Sequence, residues 1–259
     1  MNERLPISVL LLARDEERRL ERLLPALAFA REVVVVVDAA SRDGTRAVAE
    51  RNGARVFERA LDGFGPQRRF ALEQCREPWV LWLDADERLD ARSLASLDPA
   101  VRSSEVAAFR FERRTWFLGG PIRWCGWREE RIPRLFRREL ARFDDAPVHE
   151  RVLITGTTRD LPGVIEHASY ETWEDCRDKL VRYAAAGAEK ARRGRRRAHV
   201  WDLALRPPLR FLRMYALQLG VLDGARGFAV CSLAAAQTFL KYAELWADPE
   251  GRSHRPRLP

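Results

Sequence analysis

Cysteine is scarce and scattered in this chain. Cys75, Cys125, Cys176 and Cys231 form no CxxC pair and sit beside no cluster of histidines. Those spacings exclude a zinc site, and a disulfide framework is not expected in a chain of 259 residues. Reduced thiols and a cytosolic location are the expectation. Long apolar runs are missing too. No stretch reaches the ~18–20 apolar residues that span a bilayer; the nearest approach, Gly227 to Leu240, stops at Lys241. The opening MNERLPISVLLLARDEE has one short apolar run and then dense charge, without the n-region, h-region and cleavage site of a signal peptide. The glycine-rich fingerprint G-x-G-x-x-G and the P-loop are both absent, which weighs against NAD and ATP. There is no internal repeat, and no zinc-finger or RNP-type motif to support a nucleic-acid-binding reading.

What is present is positive charge and a sequence of apolar runs that end in acids. Lysine and arginine total 46 against 38 aspartate and glutamate, a formal net charge of +8, and arginine supplies nearly all of it. Such a balance fits an anionic partner: a nucleotide diphosphate, a phosphorylated glycan, an anionic membrane surface or nucleic acid. The apolar fraction, 46%, is that of an ordinary globular protein.

Ile7 to Ala13 reads as a first strand, followed by Arg14, Asp15, Glu16 and Glu17. Leu20, Leu23, Leu24 and Leu27 then recur at helical spacing. Val33 to Val37 is an unbroken β-branched run, suited to an interior parallel strand, and it delivers Asp38. Ser41, Asp43, Gly44 and Thr45 are turn and cap residues leading into a helix at Arg46 to Asn52. A strand at Ala54 to Phe57 and a helix at Gln67 to Gln74 follow. Trp79 to Leu83 is a further strand, ending in Asp84, Ala85 and Asp86. This alternation predicts an α/β fold, a mainly parallel central sheet flanked by helices. Ligands of such sheets lie beyond the carboxyl ends of the strands. Arg14 to Glu16, Asp38, and Asp84 with Asp86 therefore converge on one rim. Two carboxylates one residue apart suit a hard divalent cation and a sugar hydroxyl; the plainer alternative for them is a solvated surface turn.

The middle third changes character. Ala107 to Trp116 reads as a strand and Thr115 to Trp127 as a loop or hairpin, with Trp116, Trp124 and Trp127 either stacking on a sugar or packing. In RIPRLFRR, Arg131, Arg134 and Arg137 face phosphate, or else lie on the solvated face of an edge strand. DDAPVHER groups Asp144, Asp145, His149 and Glu150. GVIEHAS delivers His167 from a short apolar run. From Tyr170 the chain is helical, with a basic cluster RRGRRR at Arg192 to Arg197. The apolar faces of Leu209 to Leu222 and Phe228 to Trp246 are too broad for a plain surface helix. They suit contact with a membrane surface, or packing on the sheet domain or on a second subunit in a dimer. The expected division is a sheet domain over 1–169, a helical extension over 170–247 and a disordered tail over 248–259.

ARDEE, then VVVVVDAASRDGT, then WVLWLDADE resembles, as an ordered set, the N-terminal half of the family 2 inverting glycosyltransferases of GT-A (Rossmann-like) fold. GFGPQRRFAL, RLFRR, APVHE and the C-terminal helices resemble the lipopolysaccharide core β-glucosyltransferase subgroup. The resemblance implies that Ala13, Arg14 and Glu16 line a uridine pocket and that Asp38 bonds the uracil or ribose. It puts Gln67 and Arg68 near the donor, Asp84 on ribose or sugar, and Asp86 on Mg²⁺ or Mn²⁺ bridging the diphosphate, with His167 as a further metal ligand. The chain departs from the family at Asp15, where Asn is usual, and at Ala39 and Ala40, where small polar residues are usual.

Single-displacement transfer needs a carboxylate base opposite the leaving diphosphate. Glu150 is the candidate, with Asp144 and Asp145 behind it and His149 orienting the acceptor or a carboxylate; the alternative for Glu150 is a salt bridge with Arg151. The expected activity is hexose transfer, with glucose the expected sugar, from a UDP-sugar to a lipopolysaccharide core or similar anionic lipid-linked glycan. It would take place at the inner face of the cytoplasmic membrane. A polyprenyl phosphate or another glycan is the alternative acceptor.

Overall fold

The structure is a computed structural model and describes residues 3–127, 130–144 and 151–250. The chain divides into two compact units, Met1–Arg113 with Glu130–His167, and Arg114–Glu129 with Ala168–Pro259. The stretch around Trp124 thus belongs with the C-terminal helices rather than with the sheet. Of the tail, residues 251–259 lie outside the described residues.

In the first unit the apolar runs become strands β1 (Leu5–Ala13), β2 (Ala30–Asp38), β3 (Arg55–Arg59) and β4 (Trp79–Trp82). They are joined by α1 (Glu17–Leu23, extended by a 3₁₀ turn at Leu24–Leu27), α2 (Thr45–Arg51) and α3 (Phe64–Gln74). The order is β3-β2-β1-β4 and every pairing among them is parallel. Leu10 faces Val34 on one side and Trp82 on the other, so β1 is covered edge to edge.

Side chains alternate across this sheet, as the strand period of two requires. Val9, Leu11, Val35, Val37, Trp79 and Leu81 pack with Leu20 and Leu23 of α1 in one core. Leu10, Val34, Val36, Val80 and Trp82 pack with Ala71 and Leu72 of α3 in the other. Both faces are buried, which is why the runs are continuously apolar.

Beyond β4 the sheet is no longer parallel. It continues through β5 (Glu87–Leu89), β6 (Ala108–Phe117), β8 (Glu130–Arg137) and β11 (Thr158–Tyr170) in the order β4-β8-β6-β11-β5. Pairings β4·β8, β8·β6 and β11·β5 are antiparallel. The short strand β7 (Gly120–Pro121) pairs with β6, and α4 (Ala91–Val101) precedes β6. The expectation of a mainly parallel sheet therefore holds for the first four strands only. The physical reason is visible in the residues: FRFERR and RIPRLFRR alternate apolar and charged, as strands joined by hairpins do. A separate hairpin pairs β9 (Ala141–Phe143) with β10 (Val152–Ile154).

The second unit holds α5 (Trp173–Arg193), α6 (Val200–Leu212) and α7 (Gly224–Ala247). Thr172 and Asp175 close the start of α5 as a capping box. Phe117, Ile122, Cys125, Cys176, Met214 and Val230 form the core. Trp127 stacks on Tyr170 at 5.6 Å between ring centroids, a packing role rather than an open platform. All four cysteines are free and buried.

Candidate active site

Because β1, β2 and β4 run parallel, their carboxyl ends deliver Ala13, Asp38 and the turn after Trp82 to the same rim. Ala13 has its side chain in the core, so only its main chain is available there. Asp15 takes the left-handed conformation, φ 54°, a region Asp tolerates. Its Oδ1 accepts the Arg42 N–H at 2.7 Å. An Asn carbonyl would do the same, so the departure from the family at this position keeps the contact. The N–H groups of Asp15, Glu16 and Glu17 donate to Ser41 Oγ, Thr45 Oγ1 and Asp43 Oδ2 at 3.0, 2.8 and 3.1 Å. SRDGT thus satisfies the exposed donors at the start of α1, as well as leading into α2. Burial works against the Asp43 charge, but the Thr45 hydroxyl and the Glu17 and Thr45 N–H groups hold it below the ordinary carboxylate range. At Gly44 an added Cβ would lie 2.6 Å from the Glu17 carboxylate, which accepts its N–H, so a side chain there would push that carboxylate aside.

Asp38 ends β2 and is 6% exposed. Its Oδ1 accepts the Ala40 N–H at 3.1 Å. Its Oδ2 lies 3.3 Å from Arg14 Nη1 yet receives no hydrogen bond among the described residues. A buried carboxylate oxygen without a donor suits a ligand N–H or O–H. Gln67, on the first turns of α3, donates to Arg59 O at 3.2 Å, and its buried Oε1 has no partner among the described residues. Glu16 is paired with Arg19 at 2.9 Å.

The turn after β4 is closed by two bonds: Glu87 N–H to Asp84 O, and Asp84 N–H to Glu87 Oε2, each 3.0 Å. Asp84 lies between two guanidiniums. Arg68 from α3 reaches its Oδ1 at 3.4 Å and Arg134 from β8 its Oδ2 at 3.2 Å. Both guanidiniums lie over the Trp82 ring, at 4.0 and 4.1 Å from its centroid. Arg134 also donates to Glu87 at 2.5 Å, and both of these residues are at most 1% exposed. Burial opposes the Asp84 charge, but Arg134 and Arg68 outweigh it and hold the carboxyl below the ordinary range. Burial pushes the Glu87 carboxyl up, with Arg134 opposing and Asp84 adding to the rise.

Arg134 reaches this position through a β-bulge. Phe109 faces Leu135 and Arg110 faces Pro133, so Arg134 is the extra residue of β8. Pro133 has no N–H to give to the ladder, and prolines inside sheets collect at such irregularities. Arg131 and Arg137, the other arginines of RIPRLFRR read as facing phosphate, are engaged elsewhere. Arg131 pairs with Asp160 at 3.4 Å, and Arg137 donates to the carbonyls of Val106 and Ser103 at 3.1 and 2.6 Å. The bulge separates them from Arg134: one aims at the acids, the others serve the sheet.

His167 lies within β11, opposite Glu87, not at a strand end. Its Nε2 is 3.2 Å from Asp86 Oδ2, with both side chains largely buried. Arg113 Nη2 contacts its Nδ1 at 2.7 Å, and Arg113 Nε lies 3.3 Å from Glu87. Among the described residues no group of three or more His, Cys, Asp and Glu assembles a cation site. Asp86 and His167 offer two donor atoms, and Asp84 is engaged by its arginines. This donor set fits a Mg²⁺ or Mn²⁺ ion that takes its remaining ligands from substrate phosphate and water, the usual habit of Mg²⁺. It does not fit an ion held by the protein alone.

Asp145, His149 and Glu150 lie outside the described residues. Asp144 closes the β9–β10 hairpin: its Oδ1 accepts the Arg151 N–H at 2.9 Å, and its own N–H donates to Arg151 O at 3.1 Å. Glu87 and Arg113 belong to the site and were not read from the sequence. The signal for Glu87 is its place in DADE, where an acid ending the turn faces back onto the first.

Residues 8–152 match the family model described as Glycosyl transferase family 2. The chain is 30% identical over 255 residues to the lipopolysaccharide core biosynthesis glycosyltransferase LpsC of Rhizobium meliloti (strain 1021), covering 95% of this chain and 94% of that one. It is 24% identical over 258 residues to the uncharacterized glycosyltransferase RP128 of Rickettsia prowazekii (strain Madrid E), covering 92% and 86%. Among solved structures, Staphylococcus aureus TarS 1–349 in complex with UDP aligns with a TM-score of 0.48 at 16% identity, covering 96% of this chain and 93% of that one.

Proposed function

The chain belongs to glycosyl transferase family 2 and is a glycosyltransferase, and from that premise we propose that it transfers a hexose, glucose first among candidates, from a UDP-sugar to the anionic core of a lipopolysaccharide or a similar lipid-linked glycan, with inversion. One observation carries the donor half of this reading. Parallel strand ends bring a buried acceptor that takes no hydrogen bond among the described residues, Asp38 Oδ2 beside Arg14, to the same rim as the Asp86–His167 pair. The first suits the N–H or hydroxyl of a nucleoside. The second suits a cation shared with its diphosphate. The lipopolysaccharide acceptor is supported by the likeness to LpsC across nearly the whole chain.

Each residue then has a task. Asp38 and Gln67 read the nucleoside through buried oxygens that accept no hydrogen bond among the described residues. Arg68 and Arg134 hold Asp84 fixed and ionised, so that its carboxylate edge is presented to ribose or sugar in one orientation. Asp86 and His167 would hold Mg²⁺ or Mn²⁺, which when bound supplies positive charge to the departing diphosphate. Glu150 takes the proton of the attacking acceptor hydroxyl, from a segment that leaves β9 at Asp144 and rejoins β10 after Arg151.

Donor binding is tested by thermal unfolding with UDP and Mn²⁺. At ligand about 100-fold above Kd the stabilisation is about 2.7 kcal/mol. Stabilisation by nucleic acid but not by UDP with Mn²⁺ would overturn the reading. The base is tested by Glu150→Gln, expected to keep UDP binding and to lose about 10²–10⁴-fold in turnover. Near-normal turnover in that variant removes Glu150 from the role. A panel of UDP-sugars and truncated lipid cores, read by mass spectrometry, identifies hexose and acceptor.

A further inference from the structure

The helical unit carries an apolar face that its own core leaves uncovered. No residue of α6 is fully buried. Leu203 and Phe211 turn inward, onto the clusters around Tyr242 and Met214. Trp201, Leu205, Leu209 and Leu212 recur at helical spacing on another face and are 73%, 53%, 61% and 56% exposed. The face continues past the helix. A π-type turn, Arg213–Leu217, ends in Leu217 at 81% exposure, and the 3₁₀ turn Gly220–Asp223 exposes Val221 and Leu222. Leu219 between them takes the left-handed conformation, φ 56°, with its side chain in solvent. Scattered surface leucines need no explanation, but a contiguous run of this length does.

Cations run beside it. Arg206, Arg210 and Arg213 each follow an apolar member of the stripe by one position, so they form a parallel row about a quarter-turn away. With Lys241 of α7 they line an open cleft of about 450 Å³. Arg206 is also ion-paired with Asp202 one turn back, so Arg210, Arg213 and Lys241 carry the net positive charge of the cleft. Burial lowers the Lys241 ammonium, and Arg196 and Arg206 lower it further, so an anion there would relieve crowded positive charge.

We propose that α6 and the turns up to Asp223 lie in the plane of an anionic phospholipid surface. The leucine stripe enters the acyl boundary, and the cleft of Arg210, Arg213 and Lys241 seats phosphate headgroups. Charge complementarity favours this occupant over a second copy of the chain. A two-fold contact across the stripe would bring two arginine rows together without a matching acidic row. An in-plane arrangement is favoured over a spanning one. Among the described residues no single helix is long and apolar enough to cross a membrane, and the pair that passes together is bent by 76°. Helix α7 also buries Val230, Cys231, Tyr242 and Leu245 within its own unit.

The test is flotation of the full chain with phosphatidylcholine vesicles, with and without phosphatidylglycerol, in the absence of donor and acceptor. It is therefore independent of the transferase reading, and its failure leaves that reading intact. Partitioning onto the anionic vesicles is expected, weakening as salt rises. Leu209→Glu with Leu217→Glu should cut it at least about tenfold, and Arg210→Glu with Arg213→Glu should reduce it to the phosphatidylcholine level. All four positions are solvent-facing, and unchanged circular dichroism and melting confirm folding. No partitioning at low salt overturns the proposal. So does a leucine variant that changes sedimentation from dimer to monomer without changing flotation, or a chain that binds inorganic phosphate but no vesicle.

Discussion

Arg134→Met is expected to cost the fold about 3–5 kcal/mol, the range found when one partner of a buried ion pair is removed. Methionine replaces much of the arginine stem, so little of the loss comes from an empty volume. The loss comes from Glu87, fully buried, and Asp84, which would face each other with Arg113 and Arg68 as their remaining neighbours at 3.3 and 3.4 Å. Urea unfolding should show a lower midpoint at unchanged slope. Arg134→Lys should fall between. A lysine keeps the charge, but it cannot lie flat on Trp82 and bridge two carboxylates as a planar guanidinium does. Adding Glu87→Met to Arg134→Met should recover much of the stability, because it removes the stranded charge.

The pH dependence has a definite sign. The Asp84 carboxyl is held below its ordinary value in the folded chain. Its contribution is therefore complete above the ordinary Asp value of about 3.9, and is lost as pH falls through the folded value. In Arg134→Met that depression is largely gone. The deficit of the variant should be greatest near neutrality and shrink as pH falls, first as Glu87, whose carboxyl burial pushes up, protonates, and then below about 3.9 as Asp84 does. A deficit that stays constant over this range would mean that packing on Trp82, not charge, is what Arg134 supplies.

This cluster also marks where sequence reading stops. The four parallel strands were legible because each is an apolar run, and the rim followed from their ends. Asp38, Asp84 and Asp86 were legible for the same reason. The aim of Arg134 was not. A strand period of two puts Arg131 and Arg137 on one face and Arg134 on the other, and only the bulge beside Pro133 fixes which of them meets the acids. Arg113 was illegible for another reason: its partners His167 and Glu87 are brought to it by pairings between strands distant in sequence. SRDGT was read as the cap of the helix that follows it. It also caps the helix before it, since β1 and β2 are neighbours and their exit loops touch. The antiparallel half of the sheet left a mark in the alternation of FRFERR and RIPRLFRR, but alternation does not say which strand each of them pairs with.

Asp86→Asn is expected to lower the transfer rate by about 10²–10³-fold, the usual size of a lost charge-stabilising group at a reacting centre. Folding should lose about 0.5–1.5 kcal/mol, the net worth of one hydrogen bond, since Asn keeps an oxygen near His167 Nε2. Asp84→Asn should behave differently, although it lies only two residues away. It removes the charge on which both Arg68 and Arg134 converge, so it should destabilise the fold by about 1.5–3 kcal/mol, as losing hydrogen bonds to a charged group does. Manganese titration of the residual activity separates the two roles. In Asp86→Asn half-activation should shift to much higher Mn²⁺ or disappear. In Asp84→Asn the half-activating concentration should stay near the parent value, while the KM for the UDP-sugar rises. Equal shifts in manganese dependence in both variants would show that the two carboxylates bind the ion together. That would require Asp84 to leave its arginines when the donor arrives. The Arg68–Asp84–Arg134 arrangement over Trp82 argues against such a move, because each guanidinium is held by the ring as well as by the carboxylate. The short motif thus contains two acids in different surroundings, one kept in place by cations and the other turned towards His167, and the manganese titration tests the different duties proposed for them.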